Sequence, residues 1–123
     1  MNSSGGRRSE ERRRAPRIVE QVGVTLTEDA QEQFVQTTDL STSGARCLMD
    51  RFIPPMTKLH LRLELPEAGK VTGVECTGVV VRTEPIVTTG RGRYHIAIFF
   101  TDLPDRSRTV ISAFVRRRLA SAS

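Results

Sequence analysis

The sequence predicts an all-β-dominated fold: a six-stranded antiparallel β-barrel followed by one C-terminal α-helix. Three observations carry this expectation. Leu59, Leu61, Leu63 and Leu65 alternate with His60, Arg62 and Glu64, a period of two that lines one face of a strand and would scatter around a helix. Short β-compatible runs separated by turn residues recur up to Phe100. Beyond that point the period changes, and Val110, Ile111, Phe114, Val115 and Leu119 form one helical stripe. A length of 123 residues suits a single core.

Each element has its own signal. Residues 1–11 are polar, charged and Gly/Ser-rich, and are expected to form a flexible basic tail ahead of a domain spanning 12–120. Val22, Val24 and Leu26 alternate with Gly23, Thr25 and Thr27, the pattern of a half-buried strand. Residues 33–38 are β-compatible but weakly patterned, and a turn at 41–44 leads into a strand at 45–49. Pro54 and Pro55 interrupt the chain before the leucine strand. Residues 71–82 are rich in Val and Thr, with Gly73 and Gly78 marking bulges or corners. A turn at Gly90, Arg91 and Gly92 precedes a last strand over 94–100. Asp102 and Asp105 can cap the helix, and Pro104 is tolerated in its first turn. Arg116, Arg117 and Arg118 are placed in the last turns, where positive charge offsets the helix dipole. Closing the sheet removes exposed edges, and the helix then covers one opening or flank.

Composition excludes several function classes. No apolar run approaches the ~18 residues of a membrane span, and the N-terminal charges precede no apolar signal stretch. Cys47 and Cys76 lie in strand-like runs and not in a C-x-x-C pair, so reduced core thiols in a cytoplasmic protein are expected. No nucleophile elbow, metalloprotease helix or phosphate-binding loop is present. His60 and His95 sit on alternating strands as surface or rim residues. The expectation is therefore no enzyme, no metal and no cofactor.

The charge is informative by its placement. Of the formal net charge of +5, six arginines against Glu10 and Glu11 put four units in the first 17 residues. Among 19 basic residues only Lys58 and Lys70 are lysine. Arginine suits bidentate contact with phosphate or a guanine edge and stacks on planar rings.

Two features remain. In the run Arg12-Arg13-Arg14-Ala15-Pro16-Arg17, Pro16 holds Ala15 extended. Arg13 and Arg17 then point to one side with Cα atoms roughly 13 Å apart. Taken alone, such a cluster is usually a solvated tail. In Asp39-Leu40-Ser41-Thr42-Ser43-Gly44, Asp39 and Ser41 share a side, and Gly44 permits a positive φ or a close approach. Taken alone, this string is usually a turn.

Together they resemble the PilZ family, whose hallmark is R-x-x-x-R followed by [D/N]-x-S-x-x-G. Arg13 and Arg17 match the first motif; Asp39, Ser41 and Gly44 match the second. The likeness extends from Arg12 to about Leu119, including the run of residues 96–103, and departs at Ala97, where many relatives carry glycine. It implies a split barrel and a receptor for the bacterial second messenger c-di-GMP. Arg13 and Arg17 would then meet phosphate or guanine, Asp39 would accept guanine N–H groups, Ser41 would donate, and Gly44 would leave room for the ring. Arg12, just ahead of the first motif, implies two ligand molecules per domain. On this reading ligand binding orders the arginine segment and presents a new surface to an effector protein, since no second domain is apparent. Two other readings are a barrel binding single-stranded nucleic acid and a nucleotide-independent adaptor. The first is favoured by a pI near 10.2 but is opposed by few aromatics, most of them at core-like positions. The second is opposed by the presence of all the motif residues together.

Overall fold

The computed structural model describes residues 16–88 and 91–122. The elements are β1 (Arg17–Ile18), β2 (Gly23–Glu28), β3 (Gln31–Ser41), β4 (Gly44–Met49), β5 (Lys58–Glu67), β6 (Lys70–Thr88), β7 (Arg91–Asp102) and α1 (Asp105–Ala122). The leucine alternation builds the inner wall. Leu59, Leu61, Leu63 and Leu65 are all buried, while His60 and Arg62 face out. Val24 and Leu26 of β2 lie opposite Leu63 and Leu61, and Val74 and Cys76 of β6 oppose the same pair from the other side. Hydrophobic burial along three neighbouring strands therefore fixes their register, because a slip of one residue would turn every one of these side chains outward.

The pairing order β3-β2-β5-β6-β7-β4 returns from β4 to β3, so each of these six antiparallel strands has two neighbours in a ring. The two-residue β1 is a seventh strand, pairing with β3 in line with β2. Here the side chain of Thr37 patches the interrupted ladder. Its hydroxyl accepts the Val22 N–H at 3.0 Å and donates to the Glu20 carbonyl at 2.6 Å. That satisfies backbone groups which would otherwise be buried and unpaired.

Three register shifts interrupt the ladders, one between β3 and β4 and two between β6 and β7. Between Thr37 and Asp39 the β3–β4 register shifts: Thr37 faces Cys47, but Asp39 faces Arg46. Thr37 and Cys47 point into the core, whereas Arg46 is exposed. The extra residue thus flips the parity of β3 and turns Asp39 and Ser41 to the outer face. A second shift occurs at Gly78, where a Cβ would come within 2.7 Å of Ile98 Cγ2 and 3.0 Å of the Phe99 carbonyl. The irregularity expected at Gly78 is thus present, but the extra residue is Thr101 on the facing strand β7. At Gly73 the ladder is regular, and the missing side chain makes room for the Arg62 guanidinium instead.

Other expectations need correction. Arg91 and Gly92 already belong to β7 and not to the expected turn; Gly90 is outside the described residues. Asp102 ends β7, and the Pro104 carbonyl accepts the first helical N–H, from Arg108, at 2.8 Å. Pro104 rather than Asp102 therefore stands at the cap. Ile111, Phe114 and Val115 are buried, but Leu119 is exposed, so the apolar stripe stops a turn early. The helix runs on to Ala122 with no basic residue in its last turn. Arg117 and Arg118 fasten α1 to the barrel instead of neutralising its end. Arg117 pairs with Glu67, while Arg118 reaches Glu20 and the Pro66 carbonyl, both at 2.9 Å, and lies 4.6 Å over the Phe114 ring. With Ser107 donating to the Glu75 carbonyl, α1 packs across β1, β3, β5 and β6.

Candidate functional site

The register assigns two lateral rows to one outer face. Asp39, Arg46, Ala97 and Arg82 lie side by side across β3, β4, β7 and β6. The next row runs from Arg17 on β1 to Ser41, Gly44 and Phe99. In the first row Arg46 and Arg82 flank Ala97, and in the second Ser41 and Gly44 lie between Arg17 and Phe99. The result is an open depression of about 320 Å³, lined among others by Arg17, Gly44, Arg46, Arg82, Ala97 and Phe99.

Asp39 is the electrostatic centre. Only 7% of it is exposed, and its two oxygens are divided between two cations. Arg17 Nη1 reaches Oδ1 at 2.5 Å, and Arg46 Nε reaches Oδ2 at 2.9 Å. A carboxylate so withdrawn from water requires such partners. Its field is felt by Cys47, whose thiol is pushed up to about 12 by burial and, secondarily, by Asp39.

Ser41 is fully buried and locally engaged. Its oxygen accepts the Ser43 N–H at 3.1 Å, contacts Ser43 Oγ at 2.9 Å and lies 3.4 Å from the Gly44 carbonyl. It shapes the Thr42–Ser43 turn. Gly44 is required by a backbone approach, since a Cβ there would stand 2.2 Å from the Ile98 carbonyl. Its φ is not positive. Of the expected site residues, Arg17 and Asp39 are thus in contact, Ser41 lies opposite Arg17 in the ladder, and Gly44 lines the depression. Arg12 and Arg13 lie outside the described residues.

Arg46, Arg82 and Phe99 were not singled out from sequence. Arg46 could have been: a two-residue turn at Thr42–Ser43 sets Leu40 against Ala45 and Asp39 against Arg46 by counting alone. Arg82 joins the row through a register shift between Val80 and Arg82, which leaves no trace in the pattern. The aromatic expectation is also corrected. Phe34, Phe52 and Phe99 are 65%, 50% and 51% exposed, and only Phe100 and Phe114 are buried. Two alternations misled: Phe34 follows the outward parity of β3, and Phe99 that of β7. His95 bonds Thr38 Oγ1 and His60 bonds Glu75, each at 3.1 Å. Both cysteines are free and buried. Among the described residues no cluster of three or more His, Cys, Asp or Glu is placed to hold a metal ion, and no helix is long and apolar enough to cross a membrane.

A family model described as PilZ domain matches residues 11–117. The chain belongs to the PilZ domain family. No curated protein matches it, but solved structures share the fold of this PilZ domain. The Bacillus subtilis inhibitor of motility (MotI/DgrA) superposes with a TM-score of 0.77 at 14% identity, covering 88% of this chain and 51% of that one. The Borreliella burgdorferi PlzA protein, solved in complex with c-di-GMP, gives 0.62 at 7% identity over 100% of this chain and 59% of that one. The PilZ domain of YcgR from Escherichia coli, solved with c-di-GMP, gives 0.62 at 13% identity over 90% and 97%. The chain spans between half and three fifths of the first two proteins and nearly all of the third domain.

Proposed function

We propose that this PilZ domain is a receptor for c-di-GMP and binds it on the outer face of β3, β4 and β7, beside β1. The observation that carries the reading is that Asp39 is gripped by Arg17 and Arg46, two arginines that line a depression together with Gly44 and Ala97. The ligand has two guanines and two phosphodiesters, and the residue types suit both parts. Arginine guanidinium groups pair with phosphate oxygens or with guanine O6 and N7. An acceptor-only carboxylate matches the guanine N1–H and exocyclic amine. Relatives of the same fold solved with this ligand support the assignment.

In this proposal Arg12 and Arg13 approach from the segment preceding β1 and close over the ligand, with Arg13 joining Arg17 on the phosphates and Arg12 supporting a second, stacked molecule. Ligand phosphates cancel the repulsion among these arginines, so the segment orders on binding. Ordering backbone costs about 1–2 kcal/mol per residue, which makes the affinity moderate. The closed arm and the occupied face form a surface for an effector protein, and the protein acts as a non-enzymatic cytoplasmic adaptor. A single-stranded nucleic acid is the second reading. It gains from the exposed Phe34, Phe52 and Phe99, of which Phe52 packs edge-on against Tyr94 at 5.7 Å between ring centroids.

Calorimetric titration with c-di-GMP tests the proposal. Saturable binding is expected, weakening as salt rises and falling by at least about tenfold in Asp39→Ala or Arg17→Ala. Equal binding of arbitrary single-stranded RNA, with Asp39→Ala without effect, would replace it with the nucleic-acid reading.

A further inference from the structure

Two arginines hold Asp39, and they are not equivalent. Arg46 sits in the middle of β4, whose backbone is laddered on both sides, to β3 and to β7. Arg17 sits in a two-residue strand paired with β3 alone. A side chain on a doubly paired strand keeps its base fixed, whereas one on a short edge segment can move with little loss of backbone bonding. If c-di-GMP binds on this face, the reading on which this inference rests, Arg17 is drawn to the ligand and withdraws from Oδ1. Asp39 is then left with one oxygen released, beside the arginines that line the depression, and the other still gripped.

From this arrangement we infer that Arg46 is a positioning residue that sets the base specificity of the site. It compensates the charge of a carboxylate that is only 7% exposed, so that Arg17 can leave without stranding a buried anion. By holding Oδ2 at 2.9 Å through Nε, it also aims Oδ1 at the ligand. Guanine offers Asp39 two donors, N1–H and the exocyclic amine. Adenine has an unprotonated N1 and no amine at that position, so a fixed carboxylate discriminates between them while phosphate contacts do not. Without Arg46 the carboxylate is retained by Arg17 or swings, and the ligand is held by phosphate attraction alone.

The test measures affinity for c-di-GMP and for cyclic di-AMP, which share the phosphodiester ring and differ in the base. It compares the wild-type chain with Arg46→Gln and Arg46→Lys, whose folding is checked by thermal midpoint. The wild type is expected to prefer c-di-GMP. In Arg46→Gln that preference should shrink at least about tenfold, while the affinity for cyclic di-AMP changes by less than about threefold, the scale of an outlying charge. Arg46→Lys keeps the charge without the planar fork and should recover part of the preference. Equal losses for both ligands in Arg46→Gln, leaving their ratio intact, would reduce Arg46 to a contributor to the positive field and overturn the inference. The same holds if neither affinity changes. A wild-type chain that binds neither ligand would instead overturn the proposed function itself.

Discussion

Cys47 and Cys76 show how a residue's surroundings decide its chemistry. Both thiols are buried, and desolvation pushes each up to about 12. In the unfolded chain a thiol ionises near its ordinary value, so above about pH 9 the unfolded state releases protons that the folded state retains. Alkali therefore favours unfolding, by about 1.4 kcal/mol per pH unit per cysteine until the folded value is reached. Urea midpoints measured from pH 8 to 10.5 should fall more steeply in the wild type than in a Cys47→Ala/Cys76→Ala double variant. An aromatic disulfide reagent should label neither thiol at pH 8 until the protein unfolds. Rapid labelling of the native protein would contradict this. The same scale shows what sequence could not convey about Asp39 and Ser41. Their motif was legible as letters, but that Asp39 would be clasped by two arginines, and that Ser41 would spend its hydroxyl on its own turn, depends on neighbours brought by the fold.

Among the elements, β5 was legible because burial on one face forces strict alternation, and β2 for the same reason. The weak pattern of β3 has a physical cause: Thr38 is an inserted residue, and the outward positions change from even to odd across it. No period can describe a strand that changes its parity midway. The helix was legible as far as Val115, where it faces the core. Beyond that its arginines resembled a terminus because the sequence does not reveal that Glu67, Glu20 and the Pro66 carbonyl wait beside them. This clasp predicts that Arg118→Ala lowers stability by about 1–2 kcal/mol in denaturant titration, through a lost charged hydrogen bond to a backbone carbonyl and lost cover over Phe114. Arg116→Ala, at an exposed position outside the clasp, should stay within about 0.5 kcal/mol. Equal effects at both positions would contradict the clasp.

For the molecule as a whole, the ring of strands provides a rigid frame and the core, while the outer face of β3, β4 and β7 is left free to carry chemistry. The small residues Gly44 and Ala97 lower that face locally, and Arg17, Arg46 and Arg82 rim it. The concentration of positive charge in the first 17 residues adds a long-range attraction for an anionic ligand. Nuclear magnetic resonance titration of the isotopically labelled chain with c-di-GMP locates the ligand directly. The account predicts saturable shift changes centred on Arg17, Asp39, Ser41, Gly44, Arg46 and Phe99, with α1 and the outer face of β5 left unchanged. Changes clustered on α1 or on β5, with those six positions unmoved, would contradict it.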